Sequence, residues 1–86
     1  MASYSLFIKP SAVKEIEALP KADGLKIIQR IQGLADNPRP PGHEKLSGDD
    51  KCRVRQGNYR ILYTIKDGEL IVTVVRVGHR REVYRK

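Results

Sequence analysis

The last eleven residues of the chain, RVGHRREVYRK at positions 76–86, combine groups that bind anions with groups that move protons. They include four arginines, one lysine, His79 and Tyr84, against a single acidic residue, Glu82. Arginine holds phosphate oxygens through a planar fork that keeps its charge, and an unperturbed imidazole titrates near neutral pH. Such a set is typical of a site that grips a polyanion and transfers protons. A basic tail that only kept the protein soluble would need neither the histidine nor the tyrosine.

The net charge of +7 lies entirely in the second part of the 86-residue chain. Residues 1–50 carry seven basic and seven acidic residues, whereas residues 51–86 carry ten basic and three acidic ones. This asymmetry indicates a polyanionic partner, most often a nucleic acid. The alternative is a basic surface that is merely solvated, and charge alone does not separate the two.

Size and composition indicate one small domain, residues 1–86, with 40% apolar and 31% charged residues. The only cysteine, Cys52, cannot form an internal disulfide, which favours a reducing compartment. Within KCRVR it is more typical of a strand residue than of a catalytic thiol. No apolar run has the length of a membrane span, and no signal peptide is visible. The sequence therefore predicts a soluble, cytoplasmic protein that needs no membrane.

Hydrophobic periodicity predicts the elements that position these residues. Alternation over 3–10 predicts a strand, and apolar residues at helical spacing predict two helices within 11–36. The proline-rich segment 36–43 predicts a loop. Three further strands, joined at Gly-Asn and Asp-Gly turns, are predicted at 51–56, 59–65 and 70–77. The expected fold is α+β, in the order β-α-α-β-β-β, an antiparallel sheet with a two-helix hairpin on one face.

The same alternation predicts where the arginines point. Arg53 and Arg55 alternate with apolar neighbours, and Arg60 interrupts an otherwise apolar strand. We expect all three on the face that the helices leave uncovered. A bend at Gly78 would fold the chain end, with its His79, towards that face and complete a concave basic patch. Arginines on a strand face that is simply solvated are the alternative.

Three segments resemble the RelE branch of the RelE/ParE family of bacterial and archaeal toxins. They are KLSG (45–48), RVRQGNYRILYTI (53–65) and VVRVGHRREVYR (74–85), and the resemblance spans essentially the whole chain. It implies the toxin of a type II toxin–antitoxin pair, restrained by a RelB-like antitoxin. It also implies an endoribonuclease that cleaves mRNA in the ribosomal A site by 2′-hydroxyl attack, leaving a 2′,3′-cyclic phosphate and using no metal or other cofactor.

The resemblance also implies roles for individual residues. Arg60 is expected to contact the scissile phosphate, and Arg80 to act as a second phosphate ligand or as proton donor. Tyr84 would stack on a base or orient the 2′-hydroxyl. Arg53 and Arg55 stand where the family has paired basic residues, some of them lysines. The further residues expected to bind RNA are Lys45, Lys51, Arg76, Arg81 and Arg85.

Two residues are candidates for the general base. His79 suits proton transfer because of its intrinsic pKa. Glu44, just before KLSG, matches a glutamate that some RelE-like nucleases use and others lack. Cationic neighbours tend to lower the pKa of a carboxyl group and weaken it as a base. We therefore favour His79 over Glu44.

Other functions remain open at this point. YRILY alone does not separate RelE-like ribonucleases from ParE-like poisons of DNA gyrase, although the basic, tyrosine-containing chain end favours the ribonucleases. A plain nucleic-acid-binding module would show steep salt dependence of binding and form no product. A helix-turn-helix reader is excluded because residues 11–36 are nearly neutral and lack a basic recognition helix.

Overall fold

The computed structural model describes residues 3–46 and 51–79. In this part the chain forms two helices, five strands and a short 3₁₀ turn at Asp67–Glu69. The elements are β1 (Ser5–Ile8), α1 (Pro10–Glu17), α2 (Lys21–Asp36), β2 (Glu44–Lys45), β3 (Lys51–Gln56), β4 (Tyr59–Lys66) and β5 (Ile71–His79). The α+β class and the predicted order are confirmed, and the two-residue strand β2 is added to them.

The sheet has the strand order β1-β5-β4-β3-β2. Strands β3, β4 and β5 form the predicted antiparallel meander, but β1 pairs with β5 in parallel, with Ser5 opposite Ile71 and Ile8 opposite Val74. The sheet is therefore mixed, and the expectation of a wholly antiparallel sheet is corrected for this one pair. The helix pair and its loop carry the chain from β1 to the far edge of the sheet. The meander of β3, β4 and β5 then brings the chain back beside β1. Alternation within a strand does not encode whether β1 and β5 run parallel or antiparallel.

Both helices pack on one side of the sheet, here named the helix-side face. Pro10 occupies the first turn of α1, where its missing N–H is tolerated. Ala12 and Ile16, one turn apart, form the buried side of α1, whereas Val13 is 37% exposed. On α2 the buried residues are Ile27, Ile31 and Leu34.

The core lies between the helices and the helix-side face. Val54, Ile61 and Tyr63 from β3 and β4 have no exposed surface. The Tyr63 hydroxyl donates a hydrogen bond to the Pro38 carbonyl at 2.6 Å, and burial raises its pKa to about 12. This bond attaches the proline-rich loop to the middle of the sheet, and the buried phenol stays protonated at all physiological pH values.

The turn before β5 is held by side chains from distant parts of the chain. Arg39 donates to both carboxylate oxygens of Asp67, at 3.1 and 2.9 Å, and the Tyr4 hydroxyl donates at 2.7 Å. These bonds lower the pKa of Asp67 to about 2. Leu70 takes the left-handed conformation, with φ of 55°. The Asp-Gly turn signal was therefore correct in position, but the connection is a 3₁₀ turn.

Strand β5 continues through Gly78 to His79. The irregularity falls earlier, because Leu62 pairs with Arg76 and Tyr63 with Val74, so that Val75 lies between two pairs as a bulge. The expected bend at Gly78 is thus absent from the described strand. No helix in residues 3–46 and 51–79 combines the length and apolar content that crossing a membrane requires.

Candidate nucleic-acid interface

The side of the sheet turned away from the helices carries a group of cations. We name it the basic face, and its cations are Lys51, Arg53 and Arg55 on β3 and Arg60 on β4. Their neighbours Cys52, Val54 and Ile61 lie in the core, and side chains alternate along a strand. The register therefore brings the three arginines to one face, where the alternation placed them. Their roles in binding and catalysis stay predictions.

Two of these arginines stand directly opposite each other. Arg55 pairs with Arg60 across β3 and β4, and Arg53 pairs with Leu62. Directly opposed side chains in an antiparallel sheet have Cβ atoms about 4.5–5.5 Å apart, and like charges in such pairs repel. Arg60 is half-buried, with its Nε atom shielded from solvent, whereas Arg55 is exposed. Guanidinium groups on facing positions of two strands are able to donate to the oxygens of one anion.

The two residues of strand β2 point to opposite faces of the sheet, the acidic one to the basic face and the cationic one to the helix-side face. Glu44 pairs with Arg53, and the two side chains form a salt bridge. Lys45 pairs with Cys52 instead and lines a cavity of about 260 Å³ on the helix-side face, together with Arg39. Of the two predicted residues on β2, Glu44 therefore lies on the basic face and Lys45 does not.

His79 also points away from the basic face. It pairs with Tyr59, and the two rings meet edge to face with centroids 6.0 Å apart. The Tyr59 hydroxyl donates to Asp23 on α2 at 2.9 Å, and this bond raises the pKa of Tyr59. Arg60 pairs with Gly78, the residue before His79. The side chains of Arg60 and His79 therefore point to opposite sides of the sheet. The expected approach of His79 to Arg60 does not occur, because β5 keeps its alternation through Gly78.

Arg76 is drawn towards a helix. Its register position, opposite Leu62, is on the basic face, but its Nε atom lies 3.4 Å from Oε2 of Glu15 on α1. Oε1 of Glu15 accepts a hydrogen bond from the backbone N–H of Val77 at 2.8 Å. Glu15 has no signal in the sequence, since no local pattern reveals that a helix carboxylate binds a strand residue 62 positions later.

Phe7 is a second residue on the sheet that was not among the predicted site residues. It pairs with Thr73 and is 55% exposed, while its neighbours Leu6 and Ile8 pack on the core. Phe7 therefore lies on the same side of the sheet as the arginines, where an exposed aromatic ring can stack on a nucleobase. The signal was present in the sequence, because Phe7 is out of phase with the apolar residues of β1.

The remaining predicted residues, Arg80, Arg81, Tyr84 and Arg85, lie outside the described residues. Within the described ranges, no group of three or more His, Cys, Asp or Glu side chains is arranged to hold a metal ion. The thiol of Cys52 is buried, and burial raises its pKa. It thus packs as a core residue and is poorly suited to nucleophilic chemistry.

Comparison with protein families gives a match over nearly the whole chain. The family described as "ParE toxin of type II toxin-antitoxin system, parDE" matches residues 6–84. Toxin RelG of Mycobacterium tuberculosis is 47% identical over 87 residues, which cover 96% of this chain and 98% of the relative. A putative RelE-like toxin protein of Escherichia coli is 32% identical over 80 residues, with 90% and 83% covered.

Solved structures share the fold. The toxin in the crystal structure of the toxin–antitoxin complex RelBE2 from Mycobacterium tuberculosis aligns with a TM-score of 0.83 and 26% identity, covering 95% of this chain and 97% of that one. The isolated Escherichia coli RelE toxin aligns with a TM-score of 0.78 and 28% identity, covering 95% and 92%. The fold is therefore shared by toxins solved alone and with an antitoxin.

Proposed function

This chain belongs to the ParE toxin family of type II toxin–antitoxin systems, as a RelE-like member, and we propose that it is a ribosome-dependent endoribonuclease. It cleaves mRNA in the ribosomal A site and thereby inhibits translation in the cytoplasm. The observation that carries this proposal is the basic face, where Arg55 and Arg60 stand opposite each other with Arg53 beside them. Arginines clustered in this way are able to bind the oxygens of a phosphate group.

The proposed reaction is a transesterification of the RNA backbone. The 2′-oxygen attacks the adjacent phosphorus, its proton passes to a base, and the bond from phosphorus to the 5′-oxygen breaks. The products are a 2′,3′-cyclic phosphate and a 5′-hydroxyl, which receives a proton as it leaves. Negative charge builds on the non-bridging phosphate oxygens, and fixed guanidinium groups stabilise that charge.

The described residues divide this work unequally. Arg60, half-buried on the basic face opposite Arg55, is suited to hold the scissile phosphate in a fixed place. Arg55, exposed beside it, is suited to follow the RNA as it enters. Arg53 is shared with Glu44, so part of its charge is already balanced. Arg80 and Tyr84 keep the roles that the resemblance implies, as second phosphate ligand or proton donor and as base-stacking or orienting group.

Two residues are candidates for the proton-transfer group, Glu44 and His79. Glu44 lies on the basic face but forms a salt bridge with Arg53, so it must give up part of this contact to accept a proton. His79 is exposed at the end of β5, one residue beyond the Gly78–Arg60 pair. His79 reaches the RNA only if the RNA backbone passes over the end of β5. Comparing cleavage by His79→Ala and Glu44→Gln variants distinguishes the two.

The ribosome is the proposed partner that completes the site. The basic face grips phosphates, but in-line attack needs the 2′-oxygen, the phosphorus and the leaving oxygen aligned. We propose that the A site supplies this alignment by bending the mRNA. A cognate RelB-like antitoxin is the second proposed partner, which blocks or distorts the basic face. Toxins solved in RelB complexes, such as the intact RelBE complex of Escherichia coli, support this partner.

The test is primer-extension mapping of one mRNA incubated with the protein, with and without translating ribosomes. We expect cuts at A-site positions only when ribosomes are present, and their suppression by a RelB-like antitoxin. Cuts at the same positions on free RNA would contradict ribosome dependence. Folded protein that halts growth but cuts nothing under either condition would contradict the nuclease.

A second candidate is a ParE-like inhibitor of DNA gyrase without nuclease activity. The description of the matching family as ParE toxins favours it. A supercoiling assay with purified gyrase distinguishes the two, since the nuclease leaves supercoiling unchanged. The clustered arginines of the basic face favour the nuclease, because a protein-binding inhibitor has no need of a phosphate site.

A further inference from the structure

We propose that Glu15 on α1 is a positioning residue for the cleavage reaction. It fixes the end of β5, the segment that carries His79 and leads to Arg80. This inference rests on the proposed nuclease function, and it assigns a task to a carboxylate that lies outside the basic face.

The end of β5 lacks a strand neighbour on one side. Strand β1 ends at Ile8, opposite Val74, and the Lys9 N–H makes a last bond to the Val74 carbonyl at 3.0 Å. Strand β5 continues for five more residues, to His79. Within the described residues, β4 is the one strand that pairs with this extension. An open edge of this kind frays unless another group binds its backbone.

Glu15 binds that open edge. Its Oε1 accepts the Val77 N–H at 2.8 Å, and Val77 is 1% exposed, so that little water can replace the carboxylate. The neighbouring residue Ile16 is 8% exposed and anchors α1 in the core, which fixes the Glu15 backbone. The second oxygen, Oε2, lies 3.4 Å from Nε of Arg76. One carboxylate therefore holds two successive residues of β5.

The contacts of Glu15 with Val77 and Arg76, here named the clamp, lie next to the proposed reaction centre. Gly78, directly after Val77, pairs with Arg60. A shift of Val77 would also displace Gly78 and, through it, the backbone of Arg60, the residue proposed to hold the scissile phosphate. Displacements of about 1 Å in positioning groups can lower catalytic rates by roughly a hundredfold. The clamp also draws the guanidinium of Arg76 towards α1, so that Arg76 acts in the clamp and not as a phosphate ligand.

Two variants separate the clamp from the charge of Glu15. Glu15→Gln keeps a side-chain oxygen that can accept the Val77 N–H, whereas Glu15→Ala removes it. In ribosome-dependent cleavage, we expect Glu15→Ala to lower kcat by roughly tenfold to a hundredfold with little change in KM. Glu15→Gln should stay within about threefold of the unaltered protein.

A stability control and a local readout accompany these variants. Ile27→Val shortens a buried side chain on α2 without touching the clamp, so it controls for a general loss of stability. Hydrogen exchange at the Val77 amide should accelerate in Glu15→Ala and stay slow in Glu15→Gln and Ile27→Val. The kcat of Ile27→Val should stay near that of the unaltered protein.

The outcomes separate this inference from the function on which it rests. An unaltered protein that cuts mRNA on ribosomes, together with a Glu15→Ala variant of equal kcat, overturns the clamp alone. Slow Val77 exchange in Glu15→Ala does the same. A kcat loss in Ile27→Val as large as that in Glu15→Ala reduces Glu15 to a stability role. An unaltered protein that cuts nothing overturns the nuclease and the positioning role together.

Discussion

The two faces of the sheet are made from the same strands and do opposite things. On β3, Cys52 and Val54 enter a core without water, while Arg53 and Arg55 stand on the opposite side as neighbouring cations. The helix-side face gains free energy from burying apolar surface. The arginines of the basic face lie outside the core cluster and add no apolar burial of this kind. Adjacent residues of one strand thus serve the core and the proposed phosphate-binding face, because their side chains point to opposite sides of the sheet.

This separation has a physical consequence. Because the core is distinct from the basic face, a cation can be removed from that face without emptying the core. A core residue, in turn, can be truncated without changing the arrangement of charge. The two faces should therefore respond to mutation in opposite ways, one in activity and the other in the free energy of unfolding.

The largest expected effect is on catalysis. Arg60→Ala should lower ribosome-dependent cleavage by roughly a hundredfold to a thousandfold, the size seen when a donor to a developing oxyanion is removed. Cooperative thermal unfolding should persist, because Arg60 is not part of the core cluster. Single-turnover cleavage and circular dichroism measure the two effects. Arg30→Ala on α2, which removes the same charged group from the other side of the sheet, should cleave normally. Equal activity of the two variants would contradict the assignment.

A core truncation should show the reverse. Ile31 on α2 is 1% exposed. Ile31→Ala should lower the free energy of unfolding by about 2–5 kcal/mol, because a cavity replaces buried methyl groups. Urea denaturation measures the loss. Below the unfolding transition, cleavage per folded molecule should match that of the unaltered protein. A Ile31→Ala variant with unchanged stability but reduced activity would break the comparison of the two faces.

Two lysines sharpen the comparison for binding. Lys51→Ala should weaken binding of single-stranded RNA and lower the slope of log affinity against log salt by roughly one counterion, if a phosphate meets the basic face. Lys45→Ala should leave that slope unchanged, because Lys45 lines the cavity on the helix-side face. Binding titrations at several salt concentrations measure both slopes. Equal losses from the two lysines would mean that RNA contacts both faces.

The smallest effect concerns the turn that connects β4 to β5. The pKa of Asp67 is about 2, below its ordinary value of 3.8, because Arg39 and Tyr4 bind the charged carboxylate. A lowered pKa in the folded state stabilises the fold above the unfolded value, and this contribution disappears as the pH falls from about 4 towards 2. Asp67→Asn should therefore melt slightly below the unaltered protein at pH 6, with the gap narrowing in acid. Melting curves with a gap that does not depend on pH would contradict this.

Local pattern predicted much of this molecule because strand side chains alternate whatever the rest of the chain does. The period-2 pattern around Arg53, Arg55 and Arg60 was enough to place them on one face. The same rule, applied to Phe7, would have placed an aromatic ring there as well. The prediction for His79 was wrong because it assumed a bend at Gly78, whereas the strand continues through this glycine.

By itself, then, the sequence determined the α+β class, the order of the elements, the location of the excess charge and the side on which the β3 and β4 arginines stand. Each depends on residue type and spacing within a few positions. Only the tertiary structure decided that β1 runs parallel to β5, that Glu44 meets Arg53 and that Glu15 binds Val77. These contacts join residues that are distant in the chain. Their geometry follows from how the helices pack on the sheet, and no local pattern encodes that packing.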